Sequence, residues 1–101
     1  MEQLIDAVKN WHYDRNLIEG SDEKTQTCKL VSEVGELCDN VAKGKDITDD
    51  VGDIMVVLIN LTERRGITLY DCLDYAYNHP KDGIKHRKGK MVNGTFVKEA
   101  V

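Results

Sequence analysis

The chain has 101 residues, of which 41% are apolar and 32% charged, and its formal net charge is −4. That balance describes one folded domain rather than a disordered chain, and the small size makes association between copies an expectation from the outset. An acidic chain is a poor nonspecific partner for nucleic acid or an anionic membrane, because such binding relies on many Lys and Arg contacts to phosphate, so neither partner is expected.

Cys28, Cys38 and Cys72 are odd in number and lack CxxC spacing, which argues against a disulfide framework or a zinc site and fits a reducing, cytoplasmic setting. Met1 leads directly into Glu2 and an amphipathic pattern, with none of the features of a secretory leader. The longest apolar run, Ile54 to Ile59, is too short to span a bilayer.

In chain order, Leu4, Ile5, Val8, Trp11 and Arg15 recur at helical spacing and predict a first helix over residues ~2 to 17, ended by Glu19-Gly20. Ser21 and Asp22 supply N-cap chemistry for a second helix that runs to Lys43 and carries Leu30, Val34, Leu37 and Val41, with Gly44 as its stop. A third helix is predicted from Asp46–Thr48 to Arg65, closed by Gly66. It is apolar on nearly every side between Ile54 and Leu61, and so is expected to be buried all round. Thr68 with Asp71 opens a fourth helix that Pro80 ends. After a basic connector of Lys85, His86, Arg87, Lys88 and Lys90, Asn93-Gly94 lies between two short β-prone runs, which is a hairpin signal. The expected architecture is therefore all-α: a four-helix-type bundle over 2–79, then a basic connector and β-hairpin tail over 80–101. No linker divides it into separate domains.

Helix two contains Glu33-Val34-Gly35-Glu36 and helix three contains Asp50-Val51-Gly52-Asp53, so each carries two carboxylates three residues apart on one face. If the two helices pack antiparallel across the Gly44-Lys45 turn, Glu33 and Glu36 come opposite Asp50 and Asp53. Four carboxylates repel one another at low dielectric, and either raised pKa values or a cation relieves that cost. Hard oxygen ligands without Cys or His select Mg²⁺, with Mn²⁺ as substitute, and such ions leave positions for substrate phosphates. The blander alternative is that Asp46, Asp49 and Asp50 answer the helix macrodipole while Glu33 and Glu36 form a solvated face.

The stretch Lys29-Leu30-Val31-Ser32-Glu33-Val34-Gly35-Glu36-Leu37, with Asp49-Asp50-Val51-Gly52-Asp53-Ile54, resembles the paired motifs of MazG-like all-alpha nucleoside triphosphate pyrophosphohydrolases. Trp11 with Arg15, and Arg87 through Glu99, are similar to the short stand-alone members found in bacteria and phages, so the resemblance covers nearly the whole chain. It implies a helical bundle assembled as a dimer or tetramer, with Glu33, Glu36, Asp50 and Asp53 as Mg²⁺ ligands. It also implies hydrolysis of an NTP or dNTP to the monophosphate and pyrophosphate. Two departures stand out: Ser32 and Asp50 occupy positions where the family usually has glutamate, and His79–Gly83 interrupts a helix that continues in relatives.

On this reading Glu33 or Glu36 takes the proton of the attacking water. Lys29, one turn before Glu33, and Lys85, Arg87 and Lys88 are phosphate-contact candidates, each with solvated surface as its alternative. Trp11 offers a face for a nucleobase with Arg15 one turn away, or else fills the core beside Leu4 and Val8. Asn60 falls on the same stripe as Asp53 and joins the substrate-facing candidates. His12, His79 and His86 show no ligand pattern and are expected at the surface. The competing function is a noncatalytic helical module that senses nucleotides or binds a partner.

Overall fold

The structure is a computed structural model, and it describes residues 1–99. Four helices, α1 (Glu2–Asp14), α2 (Glu23–Ala42), α3 (Thr48–Arg65) and α4 (Leu69–Asn78), are followed by a single 3-10 turn (Ile84–His86) and two strands, β1 (Gly89–Val92) and β2 (Thr95–Lys98). The chain forms two compact units, one of Met1–Leu69 and one beginning at Tyr70. The bundle within the first unit therefore has three helices, while α4 belongs to the second unit from its second residue onward. No helix among the described residues is long and apolar enough to cross a membrane.

In the first unit α1, α2 and α3 run up, down and up. Asn40 meets Asp50 and Glu23 meets Arg65, so α2 is antiparallel to α3; Tyr13 and Lys9 meet Glu63, so α1 lies parallel to α3. The helix ends follow from local chemistry. Asp22 caps α2, its Oδ1 accepting from the Thr25 amide at 2.7 Å. Each helix of this unit stops with a left-handed residue, Asn16 (φ 59), Gly44 (φ 66) or Gly66 (φ 67). At each stop two nested amide-to-carbonyl bonds tie up the last carbonyls; for α1 they are Asn16 N to Tyr13 O and Leu17 N to His12 O. That places the end of α1 at Asp14, earlier than the expected ~17. The terminator is Asn16, whose short polar side chain tolerates the left-handed region, rather than Gly20.

Two expectations about burial are corrected. Between Ile54 and Leu61 only Val57, Ile59 and Asn60 are buried, because α1 and α2 cover two sides of α3 and leave the rest part-exposed. On α2 the row Gln26, Leu30, Glu33, Leu37 and Asn40 is buried or half-buried, whereas Val31, Val34, Cys38 and Val41 are exposed. The apolar stripe of that helix is thus rotated away from the interior.

His12, expected at the surface, is enclosed: its relative exposure is 2%. Its Nε2 donates to the Val56 carbonyl at 2.9 Å, and its Nδ1 accepts from the Asn60 amide at 3.3 Å. Asn60 also donates to Leu17 O (3.0 Å), and its Oδ1 accepts from Arg64 Nε (2.8 Å). The Arg64 guanidinium reaches the carbonyls of Leu17 (2.7 Å), Ile18 (2.8 Å) and Ser21 (3.5 Å). One cation therefore satisfies the carbonyls of a loop that has no regular structure of its own.

In the second unit α4 ends two residues before Pro80, and a turn over 79–83 follows. His79 Nδ1 accepts from the amides of Lys81 (3.3 Å) and Asp82 (3.0 Å). Gly83 is buried there, and a Cβ on it would lie 2.4 Å from the Tyr77 carbonyl oxygen, so a side chain does not fit. The ribbon pairs Gly89 with Lys98, Lys90 with Val97, Met91 with Phe96 and Val92 with Thr95. Asn93 (φ 51) and Gly94 (φ 81) form its two-residue turn, which needs positive φ at both positions.

Candidate functional site

The antiparallel packing of α2 on α3 brings Glu33, Glu36 and Asp53 together: one carboxylate oxygen from each lies within 4.8 Å of the other two. Glu33 is buried, Asp53 intermediate and Glu36 exposed, so the cluster grades from the interior to the surface. The helical period accounts for the two glutamates sharing a face, and the short turn at Gly44 accounts for Asp53 standing opposite.

The electrostatics are those of crowded acids. The charge of Glu33 and a hydrogen bond to it hold the Glu36 carboxyl above its usual range, with burial adding to the effect. Asp53 is raised first by burial and then by Asp49, Glu33 and Asp50. Lys29 Nζ lies 3.0 Å from Glu33 Oε1, and that hydrogen bond pushes the ammonium above its usual range. A single lysine does not balance three carboxylates. The other oxygen of Glu33, Oε2, is buried and has no hydrogen-bond partner among the described residues.

That lone oxygen tests the fit of a cation. A buried carboxylate oxygen without a donor is costly, and a divalent ion shared with Glu36 and Asp53 would satisfy it. The donor set is all oxygen, which matches Mg²⁺ or Mn²⁺.

Asp50, the fourth expected ligand, stands apart from this triad. It is buried, and both its oxygens accept from Asn40 Nδ2, at 3.0 and 2.9 Å. The pairing of Asn40 with Asp50 has no signal in the spacing of the sequence. Asn60 lies in the interior with its amide fully engaged, so it supports α3 rather than facing a substrate. Trp11 is 44% exposed, with its ring edge-on to His12 at 5.3 Å, and Arg15 is exposed. Lys85, Arg87 and Lys88 are exposed and belong to the second unit.

A groove of about 530 Å³ runs between α1 and α3, lined by Leu4, Ile5, Val8, Met55, Val56 and Ile59. Its edge is formed by Asp46, Thr48, Asp49 and Asp53. Asp53 thus belongs to both the carboxylate triad and the rim of an apolar groove, which spacing alone did not foretell.

The chain is similar to a phage protein. Over 69 residues it is 44% identical to an uncharacterized 18.2 kDa protein in the rep-hol intergenic region of Haemophilus phage HP1. The match takes in 66% of this chain and 42% of that protein, so the chain spans less than half the length of the relative it matches. No family model matches the chain, and no solved structure matches it.

Proposed function

We propose that this chain is a divalent-metal-dependent nucleoside triphosphate pyrophosphohydrolase of the MazG-like kind, releasing pyrophosphate from an NTP or dNTP. The observation that carries the reading is the triad of Glu33, Glu36 and Asp53 around a buried, unpartnered carboxylate oxygen. The paired motifs on α2 and α3 supply the substrate class by resemblance. When bound, Mg²⁺ or Mn²⁺ supplies Lewis-acid polarisation and neutralises charge on phosphate oxygens.

The protein's own groups do the rest. Glu33 and Asp53, with Glu36, would hold the ion, and Asn40 holds both oxygens of Asp50 nearby on α3. Glu36, the exposed member, is placed to accept the proton of the water that attacks phosphorus as the phosphoanhydride bond breaks and pyrophosphate leaves. Lys29 exchanges its contact with Glu33 for a phosphate oxygen of the substrate, at a point where negative charge grows.

Self-association belongs to the same reading. The outward row Val31, Val34, Cys38 and Val41, with Val51 on α3, leaves apolar surface that a second copy would cover to complete a bundle. Light scattering should find a dimer or tetramer, and a stable, fully active monomer would refute this part.

The deciding experiment is pyrophosphate release from a panel of NTPs and dNTPs, with Mg²⁺ and with EDTA. Release that requires the metal from at least one nucleotide is the expected result. No release from any of them refutes hydrolysis and leaves the noncatalytic nucleotide-sensing or partner-binding module.

A further inference from the structure

The charges of this chain are segregated. Six of its fourteen Lys and Arg fall between Lys81 and Lys98, and residues 80–101 contain only two acids, Asp82 and Glu99, although the chain as a whole is acidic. Within the second unit four of these six, Lys81, Arg87, Lys88 and Lys98, converge on one cleft of about 420 Å³. Lys81, His86, Arg87 and Lys88 from the connector line it with Lys98 and Glu99 from the end of the ribbon; Asp82 and Gly83 complete its wall.

Sequence distance is overcome by the ribbon itself. Antiparallel pairing sets Lys98 beside Gly89, and the Glu99 amide bonds to the Lys88 carbonyl at 2.6 Å, so the far end of β2 returns to the connector. Among the described residues no ion pair and no side-chain hydrogen bond engages Lys81, Arg87, Lys88 or Lys98. Like charges gathered without partners repel, and an anion that bridges them removes that repulsion.

We propose that this cleft is an oligophosphate-binding site that takes the phosphate chain of a nucleotide or of inorganic polyphosphate, with Arg87, Lys88 and Lys98 as its principal contacts. Arg87 presents a fork suited to two phosphate oxygens, whereas the lysines act as point charges. A volume of this size falls in the range of pockets that take a small-molecule ligand and has room for a short phosphate chain. A nucleic-acid backbone needs an extended basic track, and the acidic remainder of the chain opposes a long polyanion. All of its lining residues belong to the second unit, and binding there does not depend on hydrolysis.

The test is binding of sodium tripolyphosphate and, separately, of dATP to the full chain in EDTA at low ionic strength, followed by calorimetry and by amide shifts in NMR. Saturable binding with shifts concentrated in residues 81–99 is expected. Equal affinity for the two ligands identifies the phosphate chain as what is recognised, and tighter dATP binding identifies a nucleotide. The Arg87→Ala, Lys98→Ala double variant should bind about tenfold more weakly. Glu99→Gln should bind more tightly, a sign that a merely nonspecific loss of structure would not produce. Three results would each overturn the proposal: unchanged affinity in the double variant, no saturation by either ligand, or shifts confined to the first unit. A single-stranded oligonucleotide that shifts residues 81–99 while tripolyphosphate does not would overturn it equally, in favour of a polymer.

Discussion

Replacing Asn60 by leucine keeps the volume of the side chain and removes every hydrogen bond it makes. Its relative exposure is 0%, and its amide serves His12 Nδ1, the Leu17 carbonyl and Arg64 Nε. The three partners fare differently. Leu17 O keeps Arg64 Nη2 at 2.7 Å, so it is not orphaned. Arg64 is only part-buried and retains its loop carbonyls, so its loss is modest. His12 Nδ1 is enclosed and has no second partner among the described residues, and an unsatisfied buried acceptor costs about 1–3 kcal/mol. With the Arg64 bond added, Asn60→Leu should destabilise by about 2–4 kcal/mol.

A unit of this size has a total of roughly 3–10 kcal/mol to lose. The melting temperature should therefore fall by roughly 10–25 °C. Thermal unfolding followed by circular dichroism at 222 nm, with urea unfolding in parallel, reads the effect. A double-mutant cycle isolates the cause, because His12→Phe removes the acceptor that Asn60→Leu strands. The double variant should be at least ~1 kcal/mol more stable than the two single losses added together. A loss below ~0.5 kcal/mol for Asn60→Leu, or an additive cycle, would refute the reasoning.

Saturating Mg²⁺ or Mn²⁺ should raise the melting temperature of the native chain by mass action, and the rise should vanish in the Glu33→Gln, Asp53→Asn double variant; an unchanged rise would place the metal elsewhere. Asp53→Asn should lower NTP turnover on the order of 10²-fold or more, and Asp50→Asn should cost less, because Asn40 already engages both Asp50 oxygens. Equal losses in the two variants would restore Asp50 as a direct ligand. The hydrogen-bonded pairing of Arg65 holds the Glu23 carboxyl below its usual range. A depressed folded pKa contributes stability that is present above the ordinary glutamate pKa and lost as pH falls through the lower folded value. Acid titrations of stability should show that loss in the native chain and not in Arg65→Ala.

The parts of this molecule that were legible in sequence are those decided by local chemistry. The Asp22 cap, the stops at Gly44 and Gly66 and the Asn93-Gly94 turn depend on a few adjacent residues, and each stands where its residue type demands. The meeting of Glu33, Glu36 and Asp53 needed only helical period and a short connection. What was not legible depends on how far each helix is rotated about its axis. Asn60 and Asp53 fall on one stripe of α3, yet Asp53 is partly open and Asn60 is sealed by His12 and the loop that Arg64 holds. The orientation of α1 encloses His12, and that of α2 exposes Val31 and Val41, because polar and apolar residues both tile the face of α2. Asn16 is inconspicuous as a terminator in sequence, since asparagine takes the left-handed region less often than glycine, which stands close by at position 20.

A two-stranded ribbon has no inner strand, so β1 and β2 each present an outward row of backbone donors and acceptors with no neighbour in the sheet. Met91, Val92, Phe96 and Val97 are all at least 41% exposed on that ribbon, a composition that in a neutral segment would favour stacking with strands of other chains. Lys90 in β1 and Lys98 at the end of β2 interrupt it, Lys88 stands just before β1, and two such ribbons brought edge to edge would set these charges against one another. Such charges oppose edge-to-edge stacking, so association of the ribbon should increase as salt screens them.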